Sequence, residues 1–182
     1  MERAIRYASD ILQLESFHPL QIRCLKAVYE RKDVVAVMKT GSGKSAIYQA
    51  APYLCGVRDN RADLIVLVIT PLNSIMQDQV RQMGERGIKA AYLTFNATAA
   101  EGYSETEIDI VCDDSAETGG PYTEVEKKMG WIQVSTDDLS GYNILYAHPE
   151  SLLTSKGRSL VRSFEKRICA VAVDEAHICL DW

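Results

Sequence analysis

The chain has 182 residues, 47% hydrophobic and 25% charged, the make-up of one soluble globular domain that can bury a core without disulfides or metal. Glu2, Arg3, Arg6, Asp10 and Glu15 exclude a secretory h-region or a membrane anchor at the start, and no later apolar run is long enough to span a bilayer. The net charge of -5 is uneven: residues 101–138 hold eleven acids against two lysines, which leaves the remainder mildly basic and permits contact with phosphate.

In chain order, Ile5, Ala8, Ile11 and Leu12 form a first helical stripe, and Ile22, Leu25 and Tyr29 a second one after Pro19. Residues 34–38 are a short apolar run without polar alternation, the pattern of a strand covered on both faces. The same pattern recurs at 64–70, 90–93, 143–147 and 168–173. Between them, Leu72, Ile75, Met76, Val80 and Met83 share one helical face, with Pro71 suited to the first turn. Strand and helix alternate, so the expected class is α/β, a mostly parallel sheet flanked by helices. Residues 96–141 break the rhythm with five glycines, Gly141 among them, a proline and many acids. They read as an acidic, partly disordered insertion between two core strands, or alternatively as a loop that binds a protein partner or regulates the domain. The five cysteines are scattered without a CxxC pair, which fits reduced thiols inside a cell, in cytosol or nucleus.

Met38-Lys39-Thr40-Gly41-Ser42-Gly43-Lys44-Ser45 follows the first strand and opens a helical stretch through Tyr53. In that context Gly41 and Gly43 let successive N–H groups of Thr40 to Ser45 point at phosphate oxygens, and the helix N-terminus adds partial positive charge. Lys44 would reach the β- and γ-phosphates of a nucleotide, and Ser45 would offer its hydroxyl to magnesium. A full Walker pattern has glycine where Met38 stands, but the shorter core T-G-S-G-K-S is intact.

The last apolar run ends in Asp174-Glu175-Ala176-His177. A carboxylate at the C-terminal end of a buried strand lies beside the phosphate loop of such sheets. Asp174 would hold magnesium through water, Glu175 would orient or deprotonate an attacking water, and His177 would link nucleotide state to the nucleic-acid side. His18 and His148 stand apart from any acid–histidine constellation and read as packing or surface residues.

The two motifs together resemble a superfamily 2 helicase of the DEAH-box type, and their flanks resemble the RecQ family of DNA helicases. Phe17-His18-Pro19-Leu20-Gln21 is similar to that family's motif 0, which implies that Gln21 reads the adenine edge; His18 replaces the usual arginine. Residues 69–80 resemble motif Ia, implying phosphate-backbone contacts from Pro71, Asn73 and Ser74 at a helix start. Residues 143–150 resemble motif Ib, with His148 in place of a threonine or serine, and residues 178–182 resemble the start of the aromatic-rich loop, where Trp182 offers a ring for base stacking. Lys39 stands where relatives carry proline, a change expected to alter loop stiffness and not the phosphate cradle.

The resemblance implies a RecA-like ATP-binding lobe over residues 1–182, with ATP and magnesium as ligands and single-stranded or forked DNA as partner. It further implies a second RecA-like lobe that supplies an arginine finger. The chain ends before motif III, so the expectation is nucleotide binding with little hydrolysis and no unwinding by this chain alone. Two other readings stay open, a nucleotide-dependent binding module and an RNA helicase of the same superfamily.

Overall fold

The computed structural model describes residues 1–97, 106–113, 131–134, 139 and 141–176, with side chains described for 1–93, 139 and 141–176. Helices α1 (Glu2–Ile11), α2 (Pro19–Tyr29) and α3 (Ser45–Asp59) precede strand β1 (Ile65–Ile69). Then come α4 (Asn73–Glu85), β2 (Ala90–Ala97), β3 (Thr106–Asp113), β4 (Trp131–Val134), β5 (Ile144–Ala147), the short helices α5 (Pro149–Leu153) and α6 (Ser155–Ser163), and β6 (Ile168–Val173). The sheet order is β4-β3-β2-β5-β1-β6. The β2–β5, β5–β1 and β1–β6 pairs are parallel, and β3 and β4 extend the β2 edge in antiparallel fashion. The α/β reading and the mostly parallel core therefore hold, and part of the acidic segment is itself sheet.

Alternation along the strands divides the core into two layers. Val66, Val68, Tyr92, Ile144 and Tyr146 face one side, where they pack with Ala8, Leu25, Leu54 and Met76 of the first four helices. Ile65, Leu67, Leu93 and Leu145 face the other side, against Leu160 and Phe164. Topology requires this. The β1–α4–β2 crossover steps one way along the sheet and the β5–α5–α6–β6 crossover the other way. Crossovers of one handedness that step in opposite directions must cover opposite faces.

The expected helical stripes are present. Ala8 and Leu12 of α1 and its cap, Leu25 of α2, and Met76, Val80 and Met83 of α4 are buried. Pro19 occupies the first turn of α2, as its fixed φ favours. Pro71 does not do so for α4: that helix begins at Asn73 with Leu72 as its N-cap in extended conformation, so the proline closes the strand exit instead.

Residues 34–38 form no strand. Val34, Ala36 and Met38 are partly buried, the latter two against the helical side of the core, while Val35 and Val37 are each 91% exposed. The stretch thus has the period-two burial of an extended chain covered on one face, and no neighbouring strand pairs with it. Val171 and Val173, on the outer side of β6, are also exposed and share with Val35 and Val37 the lining of a cavity of about 1020 Å³.

Leu54 is fully buried where α3 meets the sheet. Leu54→Ala should lower stability by about 2–5 kcal/mol. The check is the urea midpoint at unchanged slope; an unmoved midpoint would mean that α3 is not anchored by this side chain.

Candidate functional site

Parallel pairing places the ends of β1, β5 and β6 along one edge of the sheet. The chain leaves them at Thr70, His148 and Asp174. The Asp174 N–H donates to Ile69 O at 2.9 Å, and the Thr70 N–H donates to Ala147 O at 3.1 Å. These bonds fix the exits from β1, β5 and β6 relative to one another.

The phosphate loop reaches the same edge from the helical side. Gly41 and Gly43 have φ of 76° and 75°, a left-handed conformation that other residues adopt only at a cost. A Cβ on Gly43 would also stand 2.8 Å from Gln21 Nε2. The loop is closed on itself by the Ser42 hydroxyl, which donates to Lys39 O at 2.6 Å. Because a carbonyl accepts that bond, lysine in place of proline at 39 leaves this closure intact. Lys44 Nζ lies over the loop, 3.3 Å from Met38 O and 3.5 Å from Lys39 O. Ser45 is the first residue of α3, so the amides ahead of it belong to a helix N-terminus.

Gln21 is 4% exposed and fully engaged. Its Nε2 donates to Gly43 O at 2.8 Å and to Ser42 O at 3.4 Å, and its Oε1 accepts from the His18 N–H at 2.7 Å. His18 and Gln21 thus form the reciprocal end of a capping box whose remaining donors brace the phosphate loop.

Asp174 is held at both oxygens. Oδ2 accepts from the Tyr48 hydroxyl at 2.9 Å and Oδ1 from the Glu175 N–H at 3.0 Å. Glu175 itself has φ of 52°, a left-handed backbone unusual for a carboxylate side chain and of the kind that clusters at functional sites. Thr40, Lys44, Tyr48, Asp174 and Glu175 all line the same cavity. The structure therefore brings the phosphate loop and the acidic box together.

Other expected site residues fall elsewhere. Asn73 and Ser74 are exposed at the N-terminus of α4, with Pro71 half-buried just before them. His177 and Trp182 lie outside the described residues, as does most of the acidic insertion. Among the described residues no cluster of three or more histidines, cysteines or acids could hold a metal alone, and no helix is long and apolar enough to cross a membrane. A magnesium that keeps waters and phosphate ligands needs only one or two protein oxygens, and the Ser45 hydroxyl at the start of α3 and the Asp174 carboxylate, bonded to α3 through Tyr48, are hard donors that fit that demand.

Sequence reasoning missed one residue and left the contacts of a second unspecified. Tyr48, one turn into α3 from Ser45, was hidden inside an apolar-looking helix. His148, expected as a packing or surface residue, is a packing one: its Nε2 lies 2.9 Å from Pro71 O, and its Nδ1 lies 3.7 Å from Glu150, so it ties the β5 exit to the β1 exit. Its place at a parallel strand end was the available signal.

Residues 18–182 match the family model described as DEAD/DEAH box helicase. Curated relatives include ATP-dependent DNA helicase Q1 of Rattus norvegicus, 32% identical over 95% of this chain and 23% of its own length. ATP-dependent DNA helicase RecQ of Haemophilus influenzae is 31% identical over 98% of this chain and 23% of its own length. ATP-dependent helicase SGS1 of Saccharomyces cerevisiae is 26% identical over 95% of this chain and 10% of its own length. The chain thus spans about a quarter or less of these relatives. A family model that covers nearly all of the sequence, with its two motifs on one cavity, places the chain in the DEAD/DEAH box helicase family.

Proposed function

We propose that this chain is the first RecA-like lobe of a RecQ-type, ATP-dependent 3′–5′ DNA helicase, and that it binds ATP with magnesium in the cavity shared by Lys44 and Asp174. The supporting observation is the convergence of the two motifs on that cavity. The family of its relatives, named as ATP-dependent DNA helicases, supports the choice of nucleotide and of DNA.

In this reading the N–H groups from Thr40 to Ser45 wrap the β-phosphate, and the Lys44 ammonium leaves the Met38 and Lys39 carbonyls for the β- and γ-phosphate oxygens. Ser45 and, through water, Asp174 would hold magnesium, which would supply charge neutralisation at the phosphates. Glu175 orients or takes a proton from the attacking water. Gln21 contacts the adenine edge by releasing the Ser42 carbonyl, the longer of its two donor bonds at 3.4 Å, while its bond to Gly43 O passes base recognition on to the phosphate cradle. Asn73 and Ser74 at the start of α4, with Pro71, contact the DNA backbone without reading sequence. By the resemblance, His177 would link nucleotide state to the nucleic-acid side, and Trp182 would stack on a base. A second RecA-like lobe completes the catalytic site with an arginine, and the protein acts inside the cell, in the nucleus if the organism has one.

Lys44→Ala removes the ammonium that faces the phosphates, and nucleotide affinity should fall about ten- to a hundredfold. Isothermal titration with ADP checks this, and an unchanged affinity contradicts the assignment. Asp174→Ala should weaken the magnesium dependence of binding more than the affinity measured in EDTA; an equal loss of both contradicts the division of roles. Gln21→Ala leaves the Gly43 and Ser42 carbonyls without their donor, so it should weaken binding of inorganic triphosphate as well as of ATP. A loss confined to ATP would mean that Gln21 serves the base alone.

A further inference from the structure

Tyr48 belongs to neither motif, yet it stands between them. Its hydroxyl donates to Asp174 Oδ2 at 2.9 Å across 126 residues of sequence. Ser45 stands three residues earlier on the same face of α3. The Tyr48 ring meets Tyr146 edge to face, with centroids 6.3 Å apart and planes at 81°. Tyr146 is fully buried in β5, so this contact fixes the phenol to the centre of the sheet. Burial, followed by the nearby Tyr146 and Asp174, pushes the Tyr48 pKa far above its ordinary value, which keeps the hydroxyl a neutral donor.

We propose that Tyr48 is a positioning residue that fixes the Asp174 carboxylate to α3, the helix that Ser45 opens, and so sets that carboxylate for a nucleotide-bound magnesium. The inference rests on the reading of Ser45 and Asp174 as metal-facing. Asp174 directly follows β6, an edge strand among the described residues, where its side chain has more than one staggered rotamer available. With Tyr48 on one oxygen and the Glu175 N–H on the other, the carboxylate plane is set. Each oxygen accepts one bond from the protein and keeps further acceptor capacity for water or metal. Support of this kind, from a residue that does not touch the metal, tunes affinity by orienting the residue that does. The phenol also connects the two motifs mechanically, because Ser45 opens α3 and Asp174 ends β6.

The test uses Tyr48→Phe, which keeps the ring against Tyr146 and removes only the hydroxyl, together with Asp174→Asn and the double variant. Binding of a fluorescent ADP is followed as magnesium is titrated and again in EDTA, alongside thermal unfolding. Tyr48→Phe should raise the magnesium midpoint about three- to tenfold and leave the EDTA affinity and the Tm close to those of the parent. Asp174→Asn should remove most of the magnesium dependence, and adding Tyr48→Phe to it should change nothing further. The proposal is overturned if Tyr48→Phe leaves the magnesium midpoint in place. A lower midpoint also overturns it, since the hydroxyl would then be occupying the metal's place. So does a parallel loss of Tm and of affinity with and without magnesium, which marks a merely structural role. If Asp174→Asn alone leaves magnesium dependence intact, the metal-facing reading of Asp174 fails first, and the role of Tyr48 fails with it.

Discussion

Parallel pairing of β6 with β1 is the constraint on which the site depends. It sets Val173 beside Ile69 and delivers the Asp174 N–H to the Ile69 carbonyl, so the acidic box begins where β1 ends. In an antiparallel arrangement the same residues would leave at opposite edges of the sheet. Because both faces of the central strands are buried, a one-residue slip would push apolar side chains into the wrong layer. The register that buries Val66 and Val68 on one face and Ile65 and Leu67 on the other is therefore also the register that places the carboxylate.

The phosphate loop has no sheet partner of its own among the described residues, and its shape is maintained from the helical side. Gln21 grips the Gly43 and Ser42 carbonyls while the His18 N–H steadies the carboxamide. That grip requires glycine at 43 for two reasons, the positive φ and the space that a Cβ would take from Gln21. Motif 0 and the phosphate loop are thus one hydrogen-bonded unit at the start of α3. Tyr48 extends that unit to Asp174, and His148 extends the opposite side of the edge to Pro71.

Much of this was legible in the sequence. The runs at 64–70 and 143–147 were readable because strands buried on two faces lose their polar alternation, and 168–173 was readable from its apolarity although Val171 and Val173 stay exposed. Residues 34–38 have the same composition but one covered face only; apolarity reports what a segment can bury and says nothing of whether a neighbour pairs with it. Thr106–Asp113 was obscured in the opposite way. Its alternation of acids with Ile108 and Ile110 is a strand pattern, but the surrounding excess of acids and glycines dominated the reading. The convergence of Lys44 and Asp174 followed from strand-end logic. The contact of Tyr48 with Asp174, the brace from Gln21 to the Gly43 carbonyl and the tie from His148 to Pro71 did not, because they join elements far apart in the chain, and spacing along one element carries no trace of them.

The most direct test is a crystal structure of the chain with magnesium and a non-hydrolysable ATP analogue. The account predicts phosphates seated on the amides of residues 40–45, Lys44 Nζ turned from the Met38 carbonyl onto them, and the metal between Ser45 and the side of Asp174 that Tyr48 steadies. Triphosphate bound anywhere else, with Lys44 still resting on Met38 and Lys39, would contradict it.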